Sequence, residues 1–172
     1  MADPPSENRF TMEFPALHRR AYGVAYRLLG LTGPAEDIAQ ETLARAYARW
    51  ARIGDDPTGW CVTVAFNLTM DQLRTAERDR RRHRQLIAIG GPTSAADPYV
   101  AERLDLYAAL RALPRRQRQI VALRWIGDLS EAQTAQALGI SLGSVKSQAS
   151  RGIDALRSHL IIPSAPSRSS HV

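Results

Sequence analysis

The sequence predicts an all-α protein of two small helical domains joined by a flexible linker, the C-terminal one a helix-turn-helix. Three observations carry this expectation. Apolar residues recur at helical spacing through both halves, punctuated by proline and glycine, and no strand or hairpin pattern is visible. The stretch Gly90-Gly-Pro-Thr-Ser-Ala-Ala-Asp97 separates the halves and carries no helical stripe. Residues 128–151 have the layout of two short helices around a glycine turn.

Residues 1–12 are polar and are expected to be disordered, as chain ends often are. A first domain is placed at 13–84. Its first helix runs from Phe14 to Leu29, with Leu17, Ala21, Val24, Ala25 and Leu28 on one side. Gly30-Leu-Thr-Gly-Pro34 breaks it, and Pro34 suits the first turn of the next helix. Glu36 and Asp37 follow where the helix dipole favours acids. Ile38, Leu43, Ala46, Tyr47 and Trp50 give this second helix an apolar side to about Arg52. Gly54-Asp-Asp-Pro-Thr-Gly59 is a loop, and a long helix is expected from about Trp60 to beyond Arg80.

The linker is placed at 85–101, with Pro98, after a possible Asp97 cap, opening a new helical section. A second domain at 102–160 begins with Leu104, Leu106, Ala109, Leu110 and Leu113 at helical spacing. Pro114 interrupts this run and opens another helix through Ile120, Val121 and Leu123 to Trp125. Residues 161–172, rich in serine and proline, form an expected disordered tail. A body of about 60 residues buries only about 60% of its unfolded surface. Each half should be marginal alone, and docking on a partner would stabilise it.

The helix-turn-helix is the most informative stretch. Ser130 can cap its first helix, and Gln133 three residues later completes a capping box. Ala135 is small where two helices approach, and Gly139 supplies the backbone freedom of a sharp turn. Leu138, Ile140 and Val145 are apolar where the pair buries its inner faces. The second helix opens at about Ser141 to Ser144. Its outer side carries Lys146, Ser147, Gln148, Ser150 and Arg151, side chains suited to base edges and phosphates.

The net charge of +6 favours a polyanionic partner. One cysteine, Cys61, excludes an internal disulfide and a cysteine-rich zinc site. The four histidines show no metal-ligand spacing, so neither a metal nor a cofactor is expected. No apolar run reaches the roughly 18 residues of a membrane helix, and the N-terminus lacks a signal-peptide layout. A cytoplasmic protein without membrane insertion is expected. No converging acid, base and nucleophile are visible, which speaks against an enzyme.

The long helix from Trp60 turns basic along its second half, where Arg74, Arg78, Arg80, Arg81, Arg82 and Arg84 outnumber Asp71, Glu77 and Asp79. Two basic elements on a flexible tether suit a protein that grips DNA at two separated places. By contrast, the second helix exposes Asp37, Gln40 and Glu41, which would repel phosphate.

Four motifs in order resemble the extracytoplasmic-function class of the sigma-70 family, which directs bacterial RNA polymerase to promoters. Ala35-Glu-Asp-Ile-Ala-Gln-Glu-Thr-Leu43 resembles the core-binding helix of region two. Trp60-Cys-Val-Thr-Val-Ala-Phe-Asn-Leu-Thr-Met-Asp-Gln-Leu-Arg74 resembles the promoter-melting helix. Leu113-Pro-Arg-Arg-Gln-Arg-Gln-Ile-Val-Ala-Leu-Arg124 and Gly143-Ser-Val-Lys-Ser-Gln-Ala-Ser-Arg151 resemble region four, the last being closest to an actinobacterial subset.

The resemblance implies roles. Asp37, Gln40 and Glu41 would face the β′ clamp of core RNA polymerase, and the second domain would meet the β flap. Asp55, Asp56, Asn67, Asp71, Arg74 and Arg78 would serve the minus-ten element, with Asn67 and the Gly54–Gly59 loop capturing a flipped base. Ser144, Lys146, Ser147, Gln148, Ser150 and Arg151 would read the minus-thirty-five element, and Arg115 and Arg118 would hold its backbone. The linker would lie in the RNA exit path. Promoter DNA and core polymerase are the implied partners, and an anti-sigma factor fits the class. Thr63 stands where many members carry a basic residue, and Gln119 replaces a frequent glutamate. The alternative is a stand-alone helix-turn-helix regulator, which would dimerise on a palindrome.

Overall fold

A computed structural model describes the backbone of residues 4–87 and 98–160 and the side chains of residues 8–82 and 101–160. Every regular element among them is helical. They are α1 (Pro4–Leu29), α2 (Thr32–Ala48), α3 (Trp50–Ile53), α4 (Pro57–Ile87), α5 (Pro98–Ala112), α6 (Arg115–Val121), α7 (Glu131–Leu138) and α8 (Leu142–Leu160). A π-helical turn, Ala122–Ile126, extends α6.

In the first half, α1 packs on α2 and α4. Helix α1 begins ten residues before Phe14, which corrects the expectation of a disordered 1–12 over the residues described. The cause is Phe10. Its ring lies edge-on to Trp50 at 4.9 Å and Tyr47 at 5.1 Å, and it is buried with Leu17, Leu43, Ala46 and Cys61. Apart from Leu17, those partners stand 33 to 51 positions away, so no local period announces them.

Helix α4 begins at Pro57, three residues before the expected start. Asp56 Oδ1 accepts the Gly59 amide at 2.9 Å, and Pro57 occupies the first turn, where its missing N–H costs nothing. Asp56→Ala should therefore cost about 1 kcal/mol of stability, read as a lower melting temperature. Asp55→Ala, at an exposed position, should leave the melt within about 0.5 kcal/mol of wild type.

In the second half, α6 and α7 pack on α8. The capping box at Ser130 is formed: Ser130 Oγ accepts the Gln133 amide at 3.1 Å, and Gln133 Oε1 accepts the Ser130 amide at 2.8 Å. Gly139 has φ 60°, the left-handed region that makes the turn into α8. Ile120, Val145 and Ala149 form the inner cluster, with Ala135, Leu138 and Ile140 against it. Gly152 lets α8 approach α6, since a Cβ there would lie 2.6 Å from Val121 Cγ2. Helix α4 continues to Ile87 and α5 starts at Pro98, so both the first and the last positions given to the linker are helical. Residues 88–97 and the expected tail at 161–172 lie outside the described residues.

The two helical bodies do not stand apart. Val24, Leu28, Val62, Phe66 and Met70 share one core with Tyr107, Leu110, Leu123, Ile126 and Leu129. A Cβ on Gly127 would clash with Val62 of α4, so glycine permits this approach. Polar contacts seal the seam. Arg20 of α1 donates to the carbonyls of Gly127 and Asp128, each at 3.4 Å, and Arg27 donates to that of Ile126. Arg103 of α5 donates to Leu29 at 3.4 Å in return. Each small body leaves apolar surface that it cannot bury alone. Here each serves as the other's partner.

Candidate nucleic-acid interface

Helix α8 exposes most of the side chains expected to read DNA. The Ser141 hydroxyl accepts the Ser144 amide at 3.2 Å and caps the helix. Four-residue spacing divides the outer side into two stripes. Ser144, Ser147 and Arg151 lie on one, opposite the buried line of Val145, Ala149 and Leu156. Lys146 and Ser150 lie on the flank toward α7, where Lys146 Nζ comes within 3.8 Å of Glu131. Gln148 is half-buried at the edge of the outer side. The six residues thus form a broad polar surface with two registers.

Helix α4 carries the second set. Asn67 is exposed midway along it, and Arg74, Arg78 and Asp71 are exposed beyond. Arg74 pairs with Asp71, and Arg78 donates to the Thr75 hydroxyl at 3.2 Å. The Gly54–Gly59 loop is not open to solvent throughout. Asp56 is tied up as the α4 cap, and its second oxygen is buried without a partner. A small hollow beside Asp55 and Asp56 is also lined by Gln136 and Ala137 of α7. The first helix of the helix-turn-helix therefore packs beside the Asp56–Gly59 end of the loop expected to hold a flipped base, while Gly54 and Asp55 stay exposed.

On α2, Asp37, Gln40 and Glu41 are all exposed on one face. Gln40 donates to Glu36 at 3.1 Å, and Glu41 pairs with Arg45 at 2.7 Å. The hydrogen bond from Gln40, followed by that with His18, holds the Glu36 carboxyl below its ordinary range. Beside this face, α1 presents Phe14, His18, Tyr22 and Tyr26 as a stacked ladder with centroids 5.6–6.4 Å apart. Its four-residue period is visible in the sequence, where charge and motif spacing do not mark it.

Between the halves lies a cleft of about 530 Å³. It is lined by Asn67 and Arg74 from α4 and by Arg115 and Arg118 from α6. Side chains expected to contact different promoter elements thus face a common space. Arg118 is half-buried and donates to the Leu113 carbonyl at 3.3 Å, whereas Arg115 is exposed. Among the polar members of this cleft, Tyr107 and Arg111 carry no role in the sequence reading. Cys61 is buried in the core, and desolvation pushes its thiol up to about 12, which makes it inert at neutral pH.

Two helical bodies, one bearing a helix-turn-helix and the other a long basic helix, define a DNA-binding protein with two separate polar surfaces. The sequence matches the family profile Sigma-70 region 2 over residues 14–79 and Sigma-70, region 4 over residues 103–156. It is 32% identical over 155 residues to the ECF RNA polymerase sigma factor SigW of Bacillus subtilis, covering 82% of this chain and 83% of that protein. It is 33% identical over 139 residues to the RNA polymerase sigma-E factor of Streptomyces coelicolor, covering 80% and 77%. Among solved structures, CnrH in complex with the cytosolic domain of CnrY shares the fold, with a TM-score of 0.51 at 17% identity over 89% of this chain and 85% of that one. The chain belongs to the extracytoplasmic-function sigma factors of the sigma-70 family.

Proposed function

We propose that this sigma factor brings core RNA polymerase to promoters by three surfaces and performs no catalysis itself. The acidic face of Asp37, Gln40 and Glu41 docks on the β′ clamp, and the second body meets the β flap. Asn67, with Asp55, Asp71, Arg74 and Arg78 around it, serves the minus-ten element. Ser144, Lys146, Ser147, Gln148, Ser150 and Arg151 read the minus-thirty-five element, with Arg115 and Arg118 on its backbone. The observation that carries this reading is the match of the two sigma-70 regions to two helical bodies, each exposing a different DNA-suited surface. An anti-sigma factor that holds the two bodies together is the regulatory partner suited to this arrangement. The site of action is the cytoplasm. No described helix is long and apolar enough to cross a membrane.

Because Asn67 and Arg74 of the minus-ten set share one cleft with Arg115 and Arg118, the backbone contacts of the minus-thirty-five set, binding two promoter elements at once calls for the bodies to part. Core polymerase, by engaging α2 and the second body separately, supplies the free energy for that step.

Asn67→Ala tests the minus-ten assignment. Its amide can both donate to and accept from the edge of an extruded base. The substitution should impair promoter opening by about tenfold, one or two hydrogen bonds' worth, and spare closed-complex binding. Permanganate footprinting beside a binding assay separates the steps. Equal losses in both would count against a base pocket.

A further inference from the structure

The cleft between the bodies has a chemistry of its own. Its walls carry four guanidiniums, Arg74, Arg111, Arg115 and Arg118, against one carboxylate, Asp71. Arg74 is paired with that carboxylate, and Arg111 reaches across the seam to Glu77. Arg115 and Arg118 have no carboxylate partner among the described residues. Two donors are also left without acceptors: the Tyr107 hydroxyl, in a residue only 4% exposed, and the buried Nε of Arg118. Arg111 lies over the Tyr107 ring, 5.7 Å from its centroid, and a guanidinium cannot accept the proton of the hydroxyl. Burial, followed by the charges of Arg111 and Arg74, lowers the pKa of Arg118. Gathering positive charge around two unsatisfied buried donors in one cleft favours an anion there, which would supply the missing acceptors.

From this we infer that the cleft is a binding site for a compact polyphosphate. Such a ligand offers several acceptor oxygens to guanidiniums converging from α4, α5 and α6, and 530 Å³ accommodates an inorganic pyrophosphate or the phosphate chain of a nucleoside triphosphate. It ties the two bodies together, because Arg74 belongs to the first body and the other three arginines to the second. A ligand that binds only the closed form stabilises it by mass action. It also occupies Arg74, Arg115 and Arg118, so it competes with promoter DNA. That consequence rests on the function proposed above, but the binding itself does not.

The test is isothermal titration of the full chain with sodium pyrophosphate, and separately with a nucleoside triphosphate, at constant ionic strength. The expected result is one site per chain. Arg111→Gln should weaken it about tenfold, the loss of a charge-assisted contact. Tyr107→Phe, which preserves the packed ring, should weaken it by about threefold, the loss of a neutral one. Arg116→Gln, at an exposed position beyond the cleft lining, should bind as wild type does. Inorganic tripolyphosphate, titrated alongside, matches the triphosphate in phosphate number: equal affinity for those two assigns recognition to the phosphates alone, and tighter binding of the nucleoside triphosphate adds a nucleoside contact. No saturable site, or affinity unchanged by both Arg111→Gln and Tyr107→Phe, would overturn the inference. Neither residue is among those proposed to contact DNA, so loss of anion binding is read separately from loss of promoter function.

Discussion

Reversing Asp37 and Glu41 to Arg should abolish most binding to core polymerase while leaving the folded chain nearly as stable as before. Both side chains are exposed on α2, and a surface substitution of this kind changes stability by no more than about 0.5 kcal/mol. The Glu41–Arg45 pair that is lost is an exposed pair one helical turn apart, worth about 0.3–0.5 kcal/mol. Against a basic partner surface, the reversal replaces attraction by like charges face to face, which costs several kcal/mol. Each 1.4 kcal/mol is about tenfold in affinity, so the loss should exceed a hundredfold. A pull-down and a thermal melt suffice to measure it. Retention of core at wild-type strength would remove α2 from the polymerase interface.

The next largest effect is expected on α8. A good base-edge contact discriminates by roughly 1–3 kcal/mol, whereas a phosphate contact weakens all sequences alike. Arg151→Ala and Lys146→Ala should each flatten the preference among minus-thirty-five variants. Their places on different stripes of the helix suggest different base pairs, so the two substitutions should relax different positions of the element. Arg115→Ala is the phosphate control. It should lower affinity for every variant and reduce the salt slope by about one. Arg118 serves less well, because it is half-buried against Leu113 and its loss would also disturb packing. The assignment fails if competition binding of the holoenzyme to variant promoters ranks them as wild type does.

What could be read from residues alone was whatever is local. The capping box of Ser130 and Gln133 lies within four positions, and the turn at Gly139 follows from one residue's freedom. Both are formed as expected. The buried line of α8 follows from a period of 3.6. What could not be read depends on partners far along the chain. Phe10 extends α1 because Trp50 and Tyr47 await it. Asp56 looks equally like a base-contacting acid and a helix cap, and only the placement of Gly59 shows it to be engaged as the cap. The packing of one body on the other depends on Val62 meeting Gly127, some 65 positions later. No composition or periodicity encodes that complementarity, so the cleft with Tyr107 and Arg111 could not be anticipated.

Run-off transcription on genomic fragments, with purified core polymerase and this chain, tests the central claim most directly. The account predicts discrete start sites that appear only when both are present, together with weak, salt-sensitive DNA binding by the chain alone. Absence of any discrete start, with the unaided protein binding DNA tightly as a dimer, would contradict it and identify a stand-alone helix-turn-helix regulator instead.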